Sequence, residues 1–536
     1  MHTTRRCFVA LAVLTLIAGC TDSKRPGATN SSASTAADKP VVGGTLRIGI
    51  ERPKTLDPAQ ISQSANRSQS ALLVADLLFD GLTRMDDEAV VATPAISSSW
   101  KPADDQKSWQ FTVRPDARFS NGRAVVAADV KFSLERVAKQ ENSLAALRID
   151  QITGFTAFAT GAAAELTGVR IINDRNVAID LDSPLSVLPE LLSAPEYGIV
   201  PKEAVEAPTP PFASAPVTSG PFSFAGAQGD VVKLVRAAQA SAFLDAIELH
   251  EYDTANVGKS YDDFIAGRLD WSVVPNDRAE DAAQRFGPDD FRPFDAELFY
   301  AFNLLDPTFA DVRFRQAIVK AIDRAAIVKA VYPGVADPLG GVVPAGVAGH
   351  VDDPCGDACK FDPTAARALL AQAFPDGNVP AINLDFFTGA GEAAVAGTII
   401  TNLSAVGIKV TPRPKSPDEY DLFAVSGQQQ LFRLGVIGLY PAPDPYLVPL
   451  FQSGSRDNAT GFTAANIDQV LQKARATADP TARQKLYETA EHEIMVLAPI
   501  VPIAQFRTKA IVTKRVRDLT VRVNGTFAGD KVWLTP

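Results

Sequence analysis

Cysteine is almost missing from this chain: four in 536 residues cannot knit a disulfide framework, so the core must come from apolar burial, for which the length is ample. An excess of basic charge is missing too. With 52 Lys+Arg against 62 Asp+Glu the formal charge is −10, and no long basic run is present to follow a phosphate backbone, which argues against nucleic acid as a partner. No stretch beyond the amino terminus approaches the ~20 apolar residues needed to cross a bilayer. Catalytic signatures are absent as well. There is no HExxH, GxSxG or GxGxxG, and Gly258-Lys259-Ser260 fails as a phosphate loop because the required earlier glycine is Asp253. His250, His350 and His492 stand far apart with no pattern of metal ligation, and His2 belongs to a leader. No enzyme, metal or cofactor is expected. The many Asp and Glu residues could hide a working pair of acids, which spacing alone does not reveal.

What is present begins with composition: 46% hydrophobic and 21% charged residues describe a folded, water-soluble chain of two to four domains, not a collagen-like, wholly disordered or polytopic membrane one. Arg5 and Arg6 followed by the apolar run Phe8–Ala18 read as a secretory leader. Leu16-Ile17-Ala18-Gly19-Cys20 resembles the bacterial lipobox, which implies cleavage after residue 19 and diacylglycerol on Cys20. Thr3, Arg5, Arg6 and Phe8 also loosely resemble a twin-arginine signal, although two arginines are routine in any leader. Residues 20–40 offer almost nothing to bury and read as a flexible tether. With Cys7 in the leader and Cys20 lipidated, Cys355 and Cys359 remain; a local disulfide is expected rather than a metal pair.

The body alternates strand and helix signals. Residues 45–50, 108–114, 231–235 and 246–252 read as strands, with Trp109, Phe111 and Val113 alternating against Gln110, Thr112 and Arg114. Asp311 is expected to cap one helix carrying Phe314, Ile318, Ile322, Val328 and Val331 and stopping at Pro333-Gly334. Asp362-Pro363 and Asp479-Pro480 each supply an N-cap followed by proline at the first helical position. A helix through Val395, Ile399, Leu403 and Val406 ends at Gly407 and leads into a strand at Ile408-Lys409-Val410. Such helix-then-strand units indicate an α/β fold.

Successive blocks then point to a family. GGTLRIGI from Gly43, Leu56-Asp57-Pro58, LLFDGLTR from Leu77, Ser99-Trp100, SWQFTVRPDARFSNG from Ser108 and AADVKFSLER from Ala127 resemble the family 5 solute-binding proteins. These are the oligopeptide-, dipeptide- and nickel-binding lipoproteins of ABC importers. The likeness continues through TSGPF at Thr218, the stretch from Phe302 to Arg324, DPYLVPLF at Asp444 and PIVPIAQF at Pro499. The resemblance implies a periplasmic-binding-protein-like fold (type II, cluster C) of three lobes, hinged between lobes I and III. Mapping the blocks places lobe I at 41–76, 205–295 and 503–536, lobe II at 77–204 and lobe III at 296–502. The proline-rich stretch from Glu206 to Phe222 suits a return crossing from lobe II.

The same resemblance implies a ligand-binding wall at Gly435, Val436, Ile437, Gly438, Leu439 and Tyr440, where the family pattern is Gly-Trp-x-Ala/Gly-Asp-Tyr. In the family the backbone there pairs with peptide, and the Asp neutralises the peptide's α-ammonium. Here Trp is replaced by Val436 and Asp by Leu439. A buried ammonium needs an anion, so the solute is either a peptide whose amine is held elsewhere or a molecule without one. Asp444 is a candidate replacement contact, though a turn or capping role beside Pro445 is the plainer expectation. The expected function is a lipid-anchored, monomeric receptor on the outer face of a cell membrane, passing a peptide or peptide-like solute to an ABC permease. The alternative is an accessory envelope lipoprotein acting through protein contacts, favoured if Val436, Ile437 and Leu439 fill the cleft.

Overall fold

The computed structural model describes residues 39–535 apart from 64, 87–89, 288–290 and 390, so the leader, Cys20 and most of the tether lie outside the described residues. Thr45–Glu51 sits inside a six-stranded sheet ordered Ala510–Val512, Trp271–Val273, Thr45–Glu51, Ala246–Tyr252, Val231–Arg236, Phe222–Gln228. Leu46, Ile48 and Ile50 alternate into its core, and Ile48 lies beside Leu249 in a parallel pairing. A parallel pairing requires a long crossover. Within that crossover lies a four-stranded antiparallel sheet, Ser97–Pro102, Ser108–Val113, Asn176–Asp180 and Val169–Asn173, with its own apolar core around Phe111, Val130 and Ile179.

A second six-stranded sheet is ordered Ala336–Pro338, Ile500–Arg507, Pro293–Phe302, Leu431–Ile437, Ile382–Phe387, Val410–Lys415. Its helices follow the expected caps at Asp362, which accepts from the N–H groups of Thr364 and Ala365, and at Asp479, which accepts from Ala482. Two expectations give way. The helix expected from Asp311 to Val331 is two, Val312–Ala321 and Arg324–Val331, because Ile322 is extended and Asp323 caps the second by accepting from Ala326 N–H. After the helix Glu392–Ala405, Gly407 turns the chain at φ +95° and the strand starts at Val410, two residues later than expected.

Blocks distant in sequence meet as joints: the carboxylate of Asp57 takes the guanidinium of Arg136, and Arg84 bridges Asp80 at 2.9 Å and Asp530 at 2.8 Å. The chain passes between the two six-stranded sheets at adjacent antiparallel strands, Pro293–Phe302 and Ile500–Arg507, the latter running through the boundary expected near residue 503. At their base Thr508 N–H donates to Arg292 O at 2.8 Å, and Arg292 N–H donates to the Thr508 hydroxyl at 3.2 Å.

Candidate functional site

Leu431–Ile437 pairs along its length with Pro293–Phe302, Gly435 opposite Leu298, but its other neighbour, Ile382–Phe387, pairs only with Leu431 and Phe432. The Tyr420 hydroxyl donates to Arg433 O at 2.6 Å, and past that point no strand covers this edge among the described residues. Gly435, Val436 and Ile437 are part-exposed, Ile437 by 41%. The glycines permit close packing: a Cβ on Gly435 would lie 2.4 Å from Glu297 O, and one on Gly438 would lie 2.1 Å from the Tyr446 hydroxyl.

At Gly438, whose N–H donates to Asp295 O at 3.2 Å, the chain leaves the sheet. Leu439 and Tyr440 then turn inward and join the apolar cluster of the four-stranded sheet, with Leu185 and Leu188. The Tyr440 hydroxyl donates to Asp444 Oδ2 at 2.9 Å, the Tyr487 hydroxyl donates to Oδ1 at 2.8 Å, and Arg475 Nε stands 3.2 Å from Oδ1. Asp444, first residue of the helix Asp444–Phe451, is therefore a buried junction whose oxygens are already occupied. Burial pushes the Tyr440 phenol well up, and the neighbouring Asp444 carboxylate adds to the rise. Arg475 also donates to Gln151 Oε1, and its carbonyl accepts from Ser186, which ties this loop to the four-stranded body.

Two clefts draw residues from both six-stranded sheets or their connections. One, of about 50 Å³, is bordered by Asp76, Ser193, Leu439, Tyr440, Arg522 and Val523. The other, of about 290 Å³, lies across the crossing strands and is bordered by Gln69, Val273, Phe294, Tyr332, Phe506 and Lys509.

Sequence reasoning missed three acids. Asp295 and Glu297, on one strand and two residues apart, are only 2% and 3% exposed, and Glu196, in the short turn Pro195–Tyr197, is 1% exposed. Asp295 Oδ1, both Glu297 carboxyl oxygens and both Glu196 carboxyl oxygens have no hydrogen-bond partner. Burial is the main reason their pKa values rise: Glu196 to about 7, Asp295 and Glu297 well above the usual range. Glu196 and Asp295 lift Asp295 and Glu297 further, respectively, while the Arg67 guanidinium pulls Glu196 and Asp295 down. Nothing in residue spacing marks 196 and 295 as neighbours. Only the fold does.

Two histidines have structural partners: His350 Nδ1 lies 2.7 Å from Val343 O and His492 Nδ1 lies 2.6 Å from Pro354 O. Among the described residues no group of three or more His, Cys, Asp or Glu is arranged to hold a metal ion. Cys355 and Cys359 flank a short turn with their Cα atoms 5.8 Å apart and their sulfurs joined.

Three larger sheets among the described residues, a two-strand crossing and the clefts beside it give the architecture of a binding protein. Residues 92–458 match the family described as bacterial extracellular solute-binding proteins, family 5, and the chain belongs to it. Members serve ABC importers as binding proteins, not as enzymes. The dipeptide-binding protein DppE of Bacillus subtilis is 25% identical over 519 residues, covering 92% of each chain. The probable deoxycholate-binding periplasmic protein YgiS of Escherichia coli is 26% identical, covering 84% of this chain and 86% of its own. Among solved structures, the unliganded open form of the periplasmic murein tripeptide binding protein MppA superposes with a TM-score of 0.80 at 22% identity, over 92% of this chain and 98% of that one.

Proposed function

We propose that this chain is an extracytoplasmic, lipid-anchored receptor that captures a peptide or peptide-like solute between lobes I and III and presents it to the permease of an ABC importer. The observation that carries the reading is the open edge from Gly435 to Ile437. An extended ligand can add to such an edge as one more strand, taking affinity from main-chain hydrogen bonds whatever its side chains. The alternative of an accessory lipoprotein loses ground here, because Val436 and Ile437 leave the edge accessible. Relatives named for dipeptides and for deoxycholate leave the solute open to extended and apolar molecules alike. Closure about the strands Pro293–Phe302 and Ile500–Arg507 would seal the solute in.

The test is mass spectrometry of small molecules retained by protein purified under native conditions. It is expected to return peptides or peptide-like solutes; a protein that retains nothing, and whose melting temperature no peptide mixture shifts, would overturn the reading. The membrane anchor is tested separately. A diacylglycerol supplies two acyl chains, enough for stable attachment. Replacing Cys20 with Ala is expected to move the protein from the membrane to the soluble fraction, and its retention on the membrane would refute the anchor.

A further inference from the structure

We propose that Lys509 is the counter-ion for a carboxylate on the solute, whose neighbouring apolar part lies against Val273, Phe294, Tyr332 and Phe506 in the cleft at the crossing strands. This rests on the reading of the chain as a solute receptor and narrows the solutes it takes.

The cleft is built from two sides. Val273, Asn276 and Lys509 belong to the first six-stranded sheet and its connections, where the Lys509 carbonyl accepts from Val274 N–H at 2.5 Å. Phe294, Ala296 and Phe506 come from the crossing strands, and Tyr332 packs edge-on to Phe506 with ring centroids 5.2 Å apart. Two cations stand on this largely apolar border. Arg507 is already taken by Asp337, whose carboxylate receives it at 2.6 and 2.8 Å. Lys509 is part-buried and has no such partner: among the described residues no carboxylate pairs with it, and its ammonium donates only to the side-chain oxygen of Asn276. Burial holds its pKa below the usual lysine value, with no anion to oppose the shift. An ammonium has three donors, so two remain for an incoming group. A carboxylate brings the missing charge and two acceptor oxygens, and an apolar neighbour on the same solute covers the rings. An inorganic anion would leave those rings wet; a neutral apolar solute would leave the ammonium unpaired. With a volume of about 290 Å³ the cleft suits one terminal group of a solute rather than a long chain.

Position adds to the argument. Ala296, on the border of the cleft, pairs with Ile437 at the end of the open edge, so the cleft begins one strand away from where an extended solute would lie. Lys509 follows Thr508, which is bonded to Arg292 where the chain passes between the two six-stranded sheets. A solute held there by its carboxylate would touch the first sheet through Lys509 and the crossing strands through its apolar part. Binding that engages both sides favours the arrangement in which both sides can hold it.

The experiment is calorimetry on the full, ligand-stripped protein with two pairs of probes: a mixture of apolar tripeptides with free or with amidated carboxyl termini, and octanoate or octanamide. The pair that binds identifies the source of the carboxylate, a peptide terminus or an acyl chain. Within it the carboxylate member is expected to bind about ten-fold or more tightly than the neutral one. Lys509→Met is expected to remove most of that preference without weakening the neutral member. It should also leave the ligand-free melting temperature unchanged or raised, since a cation without an anionic partner is removed, which separates lost binding from misfolding. Equal binding of the two members, or a preference that survives Lys509→Met, overturns the proposal and leaves the receptor reading standing. If neither pair binds, the co-purified solute decides. An anionic solute that is lost from Lys509→Met supports the proposal; a neutral or cationic solute, or one that Lys509→Met retains, overturns it; a protein that retains no solute overturns the receptor reading and the proposal with it.

Discussion

Asp444 illustrates how a single side chain can match a family position and yet serve another purpose. Its two oxygens accept from Tyr440 and Tyr487 and face Arg475 in a buried site, so it pins the loop after Gly438 to the helices behind it. Breaking a buried, hydrogen-bonded ion pair by removing one charge costs about 3–5 kcal/mol. Asp444→Asn is expected to lose stability on that scale in urea unfolding, with solute affinity falling only as far as the loop is disturbed. Gly438→Ala is expected to cost about 1–3 kcal/mol, since its Cβ would stand 2.1 Å from the Tyr446 hydroxyl and must displace that ring; unfolding midpoints compared with Gly397→Ala, where a Cβ meets nothing within 4 Å, provide the check. The sequence made Gly435, Gly438 and Tyr440 visible because a motif frames them. It left Asp295, Glu297 and Glu196 unmarked, since an acid on a buried strand reads like any other polar residue until the fold shows that nothing pairs with it.

Strands and helices were easier to read than their ends. Thr45–Glu51 and Ser108–Val113 follow directly from alternation, and the helices starting at Pro363 and Pro480 from Asp-Pro caps. The break at Ile322-Asp323 escaped because the apolar spacing of helix continues through it; what ends the first helix is Asp323, whose side chain caps the next and whose N–H is taken by Asn402. The first sheet carries its own clamp. Asp270, 1% exposed, receives both Arg47 and Arg515 at 2.7–3.0 Å. Burial alone would raise its pKa, but hydrogen bonds from Arg515 and Arg47 outweigh that and hold it at about 2. A depressed folded pKa contributes stability in full above the unfolded value near 4, lost as pH falls toward 2. The contribution is about 1–2 kcal/mol once the partial exposure of both arginines is discounted. Asp270→Asn is expected to remove this acid-range slope and to lower stability at pH 7, as read from urea midpoints between pH 2.5 and 7.

Across the whole molecule the sign of the pH response is reversed at mild pH. Glu196 and Glu491 are both raised to about 7, chiefly by burial, although Glu491 accepts the N–H groups of Val342 and Val343. An acid with a raised folded pKa keeps its proton on folding, so stability falls as pH rises from the unfolded value near 4.5 through 7. The ligand-free protein should therefore be more stable at pH 5 than at pH 8 by a few kcal/mol, about 3 for each such group at most. Glu491→Gln should flatten part of that slope in urea titrations at the two pH values; an unchanged slope would show that Glu491 is ionised at neutrality.

The layout of the first sheet also fixes an order of events for a chain that emerges amino terminus first. Thr45–Glu51 finds no neighbour until residues 246–252 and 271–273 have appeared, and the edge strand Ala510–Val512 arrives almost last. The Arg515 guanidinium that reaches back to Thr45 O spans a sequence separation of 470. Such distant closures are slow, because the loop must be ordered before its contacts reward it. The four-stranded body, local and antiparallel between residues 97 and 180, has no such wait. During synthesis or translocation the molecule would thus pass through a stage in which its middle is folded while its founding strand is still exposed, an edge in need of shelter until the carboxyl terminus is released.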